Sequence, residues 1–478
     1  MTSPLPENRF LTGIFEPWPA ESEIHDLIVQ GEIPKEISGV FYKNGPNPQY
    51  VFSSNYHFYE GDAMIHAVRF ENGKASYLNR FIRTEKFNLE REAGRALFAG
   101  FRDFGKKPND PSVQNKRADG ANTNIILHGN KLLAMQESSL PYELNPENLE
   151  TIGHTVFTNP ATNLSIQNSM TAHPKIDLRT GELISYGYIN PIETSFIFYY
   201  VMNQEGLLIH SEKINVPYLS LLHDFAITEN YTVFPLFPLV CNYQRYLSIG
   251  EFYAWEPERG SYFGVVPRLG GNKDTIWIHI PDGDYLAIHI VSAYEEEGKI
   301  ILDAMLTDSI PKGANGFKVD AEETFPSYLK RFVFDLKTQK LITLEKLDQT
   351  PGEFPRIDDR FIGKKHTKVF TASTINTSWS KYYGYEFDGL TCYDLENKTK
   401  KTHDFGKDSM PVEPIFIPRS KNSKEGEGFV LTYVYRKLEN RSDLVILDAE
   451  NLDQEPLAII QFPHRIPFGF HGSWVTRI

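Results

Sequence analysis

Four histidines stand in contexts that set them apart within a chain of 478 residues and 14 histidines. They are His173 in MTAHPKID, His223 in SLLHDFAIT, His289 in LAIHIVSAYEE and His471 in FGFHGSW. Each follows an apolar or small stretch and precedes a turn or the start of a strand. Neutral imidazole binds zinc, copper, iron and nickel. If the fold brings the four rings to one point, they form a metal site; taken alone, His471 also suits a buried, hydrogen-bonded core histidine.

Three glutamates could orient such rings. Glu137 lies in LAMQESSLPYEL, Glu353 in GEFPRIDDRF and Glu413 in PVEPIFIPR, all in apolar or proline-framed contexts. A ligating histidine usually donates its other ring N–H to a carboxylate or a carbonyl, which fixes the orientation of the ring. The alternative is that these glutamates end strands and pair with a nearby arginine, Arg356 or Arg419.

The elements that must position these residues are short strands. An apolar strand, a polar turn and a second strand recur in degenerate form in five segments, which are 143–157, 175–189, 333–347, 392–405 and 446–462. Repeated strand–turn–strand units predict an all-β propeller, whose blades can each aim one side chain at a central axis. A β-sandwich with insertions is the alternative, but it does not explain so many similar outer hairpins.

We expect a single propeller domain over residues 1–478, with a loop and helix cap over one face. The best helical periodicity is at 85–101, and two-residue turns are predicted at Asn72-Gly73 and Gly129-Asn130. In a propeller the last strand commonly completes the first blade, so the C-terminal segment is expected to be buried.

Charge and hydropathy argue against a nucleic-acid partner, a signal peptide and a membrane-spanning segment. The net charge of −13 argues against nucleic acid, since phosphate binding needs a basic face. The N-terminus shows no signal peptide, and the longest apolar stretch, 231–241, is too short to span a bilayer. We therefore expect a soluble, cytoplasmic protein that is at most attached to a membrane surface.

At these motifs the sequence resembles the carotenoid cleavage oxygenases. The similar segments follow one another in order along nearly the whole chain, and they are 31–50, 57–87, 121–138, 171–183, 223–234, 262–268, 288–303, 352–358, 413–419 and 470–474. Each segment alone is a weak signal. Together, and in this order, they make a chance match very improbable.

The resemblance implies a seven-bladed propeller with Fe(2+) on its axis. The implied ligands are His173, His223, His289 and His471, and the implied carboxylates beside them are Glu137, Glu353 and Glu413. Thr123, in ANTN, matches a residue whose methyl group crowds one coordination position of the iron. The implied reaction is cleavage of a conjugated C=C bond by O2 to two carbonyl products, on an apolar substrate held in a tunnel.

The segments 91–114 and 253–268 look most like the branch that cleaves stilbenes and phenylpropenes. Enzymes of that branch grip a phenolic hydroxyl with a Tyr and a Lys, and the matching positions here are Phe101 and Gln136. Ser292 is a further departure, because the family usually has Asn there. Losing both hydroxyl partners favours an apocarotenoid-like polyene over a 4-hydroxystilbene or phenylpropene.

Two classes without cleavage stay open, an isomerase or lipid-binding protein and a propeller that serves only as an interaction scaffold. A further hypothesis is that Leu97, Phe98 and Phe101 form an aromatic entrance to the site that contacts a membrane surface. The alternative is that the same residues belong to a buried amphipathic helix. The sequence makes no prediction of oligomeric state.

Overall fold

The computed structural model describes residues 5–100, 103, 109–159, 161, 164–166, 169–188, 195–249, 252–281, 283, 285–307, 326–376 and 386–476. In this part of the chain, seven antiparallel sheets of four to six strands form the seven blades of a β-propeller. Innermost strands of several neighbouring blades contact one another, which places those strands around a common axis. The predicted fold class is confirmed.

Both ends of the chain close the ring. Blade 1 contains Ser22–Ile24, Gly39–Pro46, Ala63–Glu71, Lys74–Phe81 and the C-terminal strand Gly472–Thr476. Blade 7 contains Ser409–Pro411, Ile415–Pro418, Gly428–Arg436, Arg441–Asp448, Ala458–Gln461 and the N-terminal strand Ile28–Gly31. The last strand therefore completes the first blade, as expected, and an early strand completes the last blade.

The other five blades are each continuous in sequence. Blade 2 has strands Asn124–His128, Lys131–Met135, Tyr142–Leu144 and Thr151–His154, and blade 3 has Lys175–Asp177, Glu182–Gly187, Phe196–Met202 and Leu208–Asn215. Blade 4 has Ala226–Ile227, Tyr231–Leu236, Ser261–Pro267 and Ile276–Ile280, and blade 5 has Ala287–Glu296, Lys299–Thr307, Ser327–Asp335 and Lys340–Lys346. Blade 6 has Gly352–Arg356, Lys368–Ser373, Gly389–Asp394 and Thr399–Asp404.

Helices are short and lie outside the blades. Helix α1 spans Glu85–Ala93 and α2 spans Tyr243–Ile249. Single 3-10 turns occupy Arg9–Leu11, Gly13–Phe15, Phe58–Glu60, Pro111–Val113, Pro257–Arg259, Asn272–Asp274 and Asp359–Phe361. Two small two-stranded sheets complete the connections, and their strands are Thr158–Asn159 with Leu164–Ser165 and Leu239–Cys241 with Tyr253–Trp255.

The helix predicted over 85–101 is shorter than expected. The Thr84 hydroxyl caps its N-terminus by accepting from the Phe87 N–H, and the helix stops at Gly94, whose φ of 67° is left-handed. A left-handed glycine is a common helix end. Leu97 and Phe98 follow that stop and are buried beside Val113, so they do not form the membrane-facing mouth we considered. Phe101 lies outside the described residues.

The core consists of apolar layers between adjacent blades. Phe263 of blade 4 packs against Phe332 and Phe334 of blade 5, with ring centroids 5.0 and 4.6 Å apart. The predicted turns Asn72-Gly73 and Gly129-Asn130 have positive φ at both residues, as two-residue hairpin turns require. One repeat differs from expectation: 175–189 forms the innermost two strands of blade 3, whereas we expected an outer hairpin.

Candidate functional site

The four selected histidines meet on the propeller axis. His289 lies in the innermost strand of blade 5, and His471 directly precedes the innermost strand of blade 1. His173 and His223 stand just before the innermost strands of blades 3 and 4. Because these strands surround the axis, one candidate ligand atom from each ring falls within 4.8 Å of the others. The predicted convergence of the four rings is therefore observed.

The ring nitrogens that face each other are the Nε2 atoms. The Nε2 atoms of His173 and His223 are 3.0 Å apart, and those of His289 and His471 are 3.2 Å apart. Three of the rings use Nδ1 to bind a carboxylate: His223 with Glu137 at 2.9 Å, His289 with Glu353 at 2.5 Å and His471 with Glu413 at 2.7 Å. Each of the three glutamates thus contacts one of the selected histidines.

This arrangement fits a metal cation. A ring that donates Nδ1–H to a carboxylate carries a lone pair on Nε2. Lone pairs pointing at one another from about 3 Å repel unless a positive charge lies between them. Four neutral nitrogen donors, three of them oriented by carboxylates, are a donor set for a divalent transition metal.

Burial keeps two of these rings in the neutral form that binds metal. The pKa of His471 is lowered to about 3, mainly by burial, although Glu413 acts in the opposite direction. Burial and the neighbouring rings hold the pKa of His173 well below its ordinary value. For His289 burial again acts downward, but Glu353 outweighs it and the pKa is raised.

Glu413 has more partners than its histidine. It also accepts the Gly472 N–H at 2.8 Å and lies 3.6 Å from the Lys43 ammonium and 3.4 Å from the Arg356 guanidinium. Against its burial, His471 and these cations hold the pKa of Glu413 well below the ordinary range. Glu413 therefore contacts a histidine, as expected of a carboxylate that orients a metal ligand, and also an arginine, as expected of a carboxylate that ends a strand. Arg419, the other arginine considered, binds Asp448 instead.

His173 differs from the other three rings. Its backbone N–H is held by the Thr171 hydroxyl at 3.0 Å. Its Nδ1 has no hydrogen-bond partner among the residues that the structure describes. One of the four donors is thus oriented without a carboxylate.

Sequence reasoning missed Asp224. This carboxylate is 4 % exposed, binds the Lys175 ammonium at 2.7 Å and accepts the Ile290 N–H at 2.8 Å. The pairing of strand Ala287–Glu296 is irregular around Ile290, which leaves that N–H available to Asp224. A buried acid directly after His223 was the signal that could have found it.

Two further predicted site residues, Thr123 and Gln136, lie next to segments that carry the site. The Thr123 carbonyl accepts the His471 N–H at 3.1 Å, so Thr123 contacts a ligand segment; its crowding of a coordination position stays a prediction. Gln136 precedes Glu137, and its Oε1 accepts the Gly120 N–H at 2.7 Å. Above Glu137, the Tyr188 hydroxyl lies 3.3 Å from the carboxylate and 3.5 Å from the Tyr253 hydroxyl, so the small sheet containing Tyr253 covers this side of the site.

Comparison with known proteins agrees with this geometry. The model of the retinal pigment epithelial membrane protein family matches residues 15–476. Isoeugenol monooxygenase of Pseudomonas putida is 34% identical over 98% of both chains. Resveratrol cleavage oxygenase 1 of Aspergillus fumigatus is 34% identical over 99% of this chain and 97% of its own.

The crystal structure of Pseudomonas brassicacearum lignostilbene dioxygenase superposes with a TM-score of 0.91 at 32% identity, covering 99% of this chain and 100% of that one. No helix in the described part of this chain is long and apolar enough to cross a membrane. The four-histidine centre is the Fe(II) site typical of these enzymes. The chain therefore belongs to the carotenoid cleavage oxygenase family, the non-haem iron oxygenases that cleave carbon–carbon double bonds oxidatively.

Proposed function

We propose that the substrate is an aromatic alkene that carries a ring hydroxyl, either a phenylpropene or a 4-hydroxystilbene. One C=C bond and one O2 molecule give two carbonyl groups, of which one is an aromatic aldehyde. The observation that carries this proposal is full-length similarity to isoeugenol monooxygenase around an intact four-histidine, three-glutamate site. The resveratrol- and lignostilbene-cleaving relatives support the same substrate class.

His173, His223, His289 and His471 would hold the iron, which would supply the activation of O2. The contribution of the chain is positional. Glu137, Glu353 and Glu413 orient three rings and offset the charge of the cation. A substrate held with its double bond beside the site gains rate mainly from correct orientation.

Gln136 is the residue best placed to recognise the ring hydroxyl by a hydrogen bond. Because the Gly120 N–H holds its Oε1, the amide orientation is fixed, and its NH2 group has no partner among the described residues. The side chain is partly exposed and adjoins Glu137, whose side chain is 21 % exposed. A neutral amide N–H suits a neutral oxygen, so we infer that the phenol binds in its protonated form.

A polyene such as an apocarotenoid is the second candidate. It is favoured by Phe101 and Gln136, which stand where the resemblance places the Tyr and Lys that grip a phenolate. The relatives described above support it less well than the hydroxylated aromatic alkenes. The preference for a polyene that we drew from the sequence therefore becomes the alternative.

The test is a small panel of substrates given to iron-loaded protein under ¹⁸O2. We expect aldehydes from isoeugenol or 4-hydroxystilbene, and a lower kcat/KM for 4-methoxystilbene and for an apocarotenal. Cleavage of the apocarotenal alone would reverse the order of the two candidates. No aldehyde from any substrate, with iron bound, would favour the isomerase, binding-protein or scaffold alternatives.

A further inference from the structure

A cavity bounded by the innermost strands reaches the four-histidine site along the propeller axis. This axial cavity has a volume of about 640 Å³, and its walls come from the innermost strands and their flanking turns. His173, His289 and His471 line its inner end, while Leu178, which is 57 % exposed, lines its outer end. The cavity therefore connects three of the four metal-binding rings to solvent.

The axial cavity is distinct from the side of the site that we assign to the substrate. His223, Gln136 and Glu137 are not among its lining residues, although His223 and Glu137 have side chains that are 19 % and 21 % exposed. The histidine cluster is thus open in two directions. The substrate side has the Gln136 amide and the two tyrosine hydroxyls, whereas the axial side is charged.

Ion pairs line the axial cavity from the histidines outward. Lys175 binds Asp224 at 2.7 Å, and Arg356 lies 3.4 Å from Glu413 and 3.5 Å from Asp359. Asp359 is half exposed, while Asp224 and Glu413 are buried. Carboxylates therefore occur from the outer to the inner part of the wall, each beside a cation that limits how tightly it would retain a passing metal ion.

One buried polar atom in this wall has no protein partner. The Ser292 hydroxyl is buried, with the residue 5 % exposed, and has no hydrogen-bond partner among the described residues. Buried polar groups are almost always satisfied by protein or ordered water, so this hydroxyl indicates that the cavity holds water close to the rings.

A divalent metal ion travels with a shell of tightly bound water and needs a polar path. The apolar substrate tunnel that the family resemblance implies would be a costly route for such an ion, since burial of an unpaired charge is unfavourable. We propose that the axial cavity is the path by which the ferrous ion enters and leaves the four-histidine site. Substrate and metal then approach the same site from different directions.

A charge introduced by substitution at the outer end of the cavity tests this path. Leu178→Arg places a cation there and Leu178→Glu an anion, both on an exposed side chain that makes no contribution to the core. The matched controls are Leu207→Arg and Leu207→Glu. Leu207 is 43 % exposed, belongs to the same blade and does not line the cavity. Each control changes the net charge of the protein by the same amount.

The measurements are anaerobic Fe2+ uptake by the metal-free protein and Fe2+ release to a chromogenic chelator, at low ionic strength. We expect both rates to fall about threefold with Leu178→Arg and to rise about threefold with Leu178→Glu, with Kd nearly unchanged and the effect reduced by salt. A path through the cavity changes both rates because the ion passes the same charge in each direction. Leu178 variants that behave like their Leu207 controls would overturn the proposal.

Discussion

The Asp224 carboxylate accepts a hydrogen bond from the Ile290 backbone N–H at 2.8 Å, and each of these residues directly follows a predicted iron ligand. The same carboxylate binds Lys175, two residues after His173. One buried side chain therefore connects the segments that present His173, His223 and His289. Because it spans three blades, it fixes the relative positions of rings that no single strand could hold together.

Replacing Asp224 tests this connection. We expect Asp224→Ala to lower iron affinity about 10- to 100-fold, the range seen when groups that orient metal ligands are removed. Asp177→Ala is the matched control, because Asp177 is a buried acid of the neighbouring blade 3 that pairs with Arg268 and Arg179. Iron titration and urea unfolding separate the two effects. Equal loss of stability in both variants with unchanged iron affinity would show that Asp224 is only structural.

Glu413 is expected to have two separable roles. Glu413→Gln removes the charge that binds both His471 and Lys43, so we expect weaker iron binding and a loss of about 3–5 kcal/mol of stability, because the buried Lys43 is left unpaired. Adding Lys43→Met should restore much of the free energy of unfolding without restoring iron affinity. Restoration of both by the second substitution would contradict a direct role of Glu413 at His471.

Gln136→Leu tests whether Gln136 recognises the ring hydroxyl of the substrate. We expect kcat/KM for a 4-hydroxystilbene or isoeugenol to fall about 5- to 10-fold, the equivalent of one hydrogen bond, while iron content stays the same. For an analogue without the ring hydroxyl the change should be less than twofold. A similar loss for both substrates would mean that Gln136 shapes the pocket and does not recognise the hydroxyl.

His66 gives the stability of the protein a pH dependence that is separate from the metal site. This histidine of blade 1 is buried, with its Nδ1 2.7 Å from the Tyr77 hydroxyl, and burial lowers its pKa to about 3. The unfolded chain, with a pKa near 6.5, binds the proton more tightly, so folding stability falls as the pH drops below that value.

Protonation of His66 in the unfolded chain should lower the free energy of unfolding by about 2 kcal/mol between neutral pH and pH 5. His66→Gln cannot titrate and should show a smaller decrease in urea midpoint between pH 7 and pH 5 than the unchanged protein. Identical pH dependence in the two proteins would refute this assignment. His25, an exposed histidine, provides the matched control substitution.

Much of the fold and the site could be predicted from the sequence because their signals are local. Strand–turn–strand repeats predicted a propeller, and histidines near strand starts made a metal site on its axis possible. The resemblance to the carotenoid cleavage oxygenases then identified the four histidines as the ligands. The length of α1 was wrong because Gly94 ends the helix before the apolar periodicity ends. Leu97 and Phe98 were considered as surface residues, but tertiary packing with Val113 buries them.

What the sequence could not provide was contact between distant segments. Asp224 acts on Ile290, 66 residues away, through an N–H that is available only because strand pairing is irregular there. Lys43 reaches Glu413 across 370 residues because the ring of blades closes. Such partners depend on register and closure, which local patterns do not encode.

The most direct test of the central claim is an anaerobic titration of the metal-free protein with Fe2+, followed by measurement of aldehyde formed after O2 and substrate are added. The account predicts that aldehyde formation rises linearly and saturates at one Fe2+ per chain, and that His471→Ala abolishes both tight iron binding and product. Product formation without iron, or tight binding of one Fe2+ by His471→Ala, would contradict it.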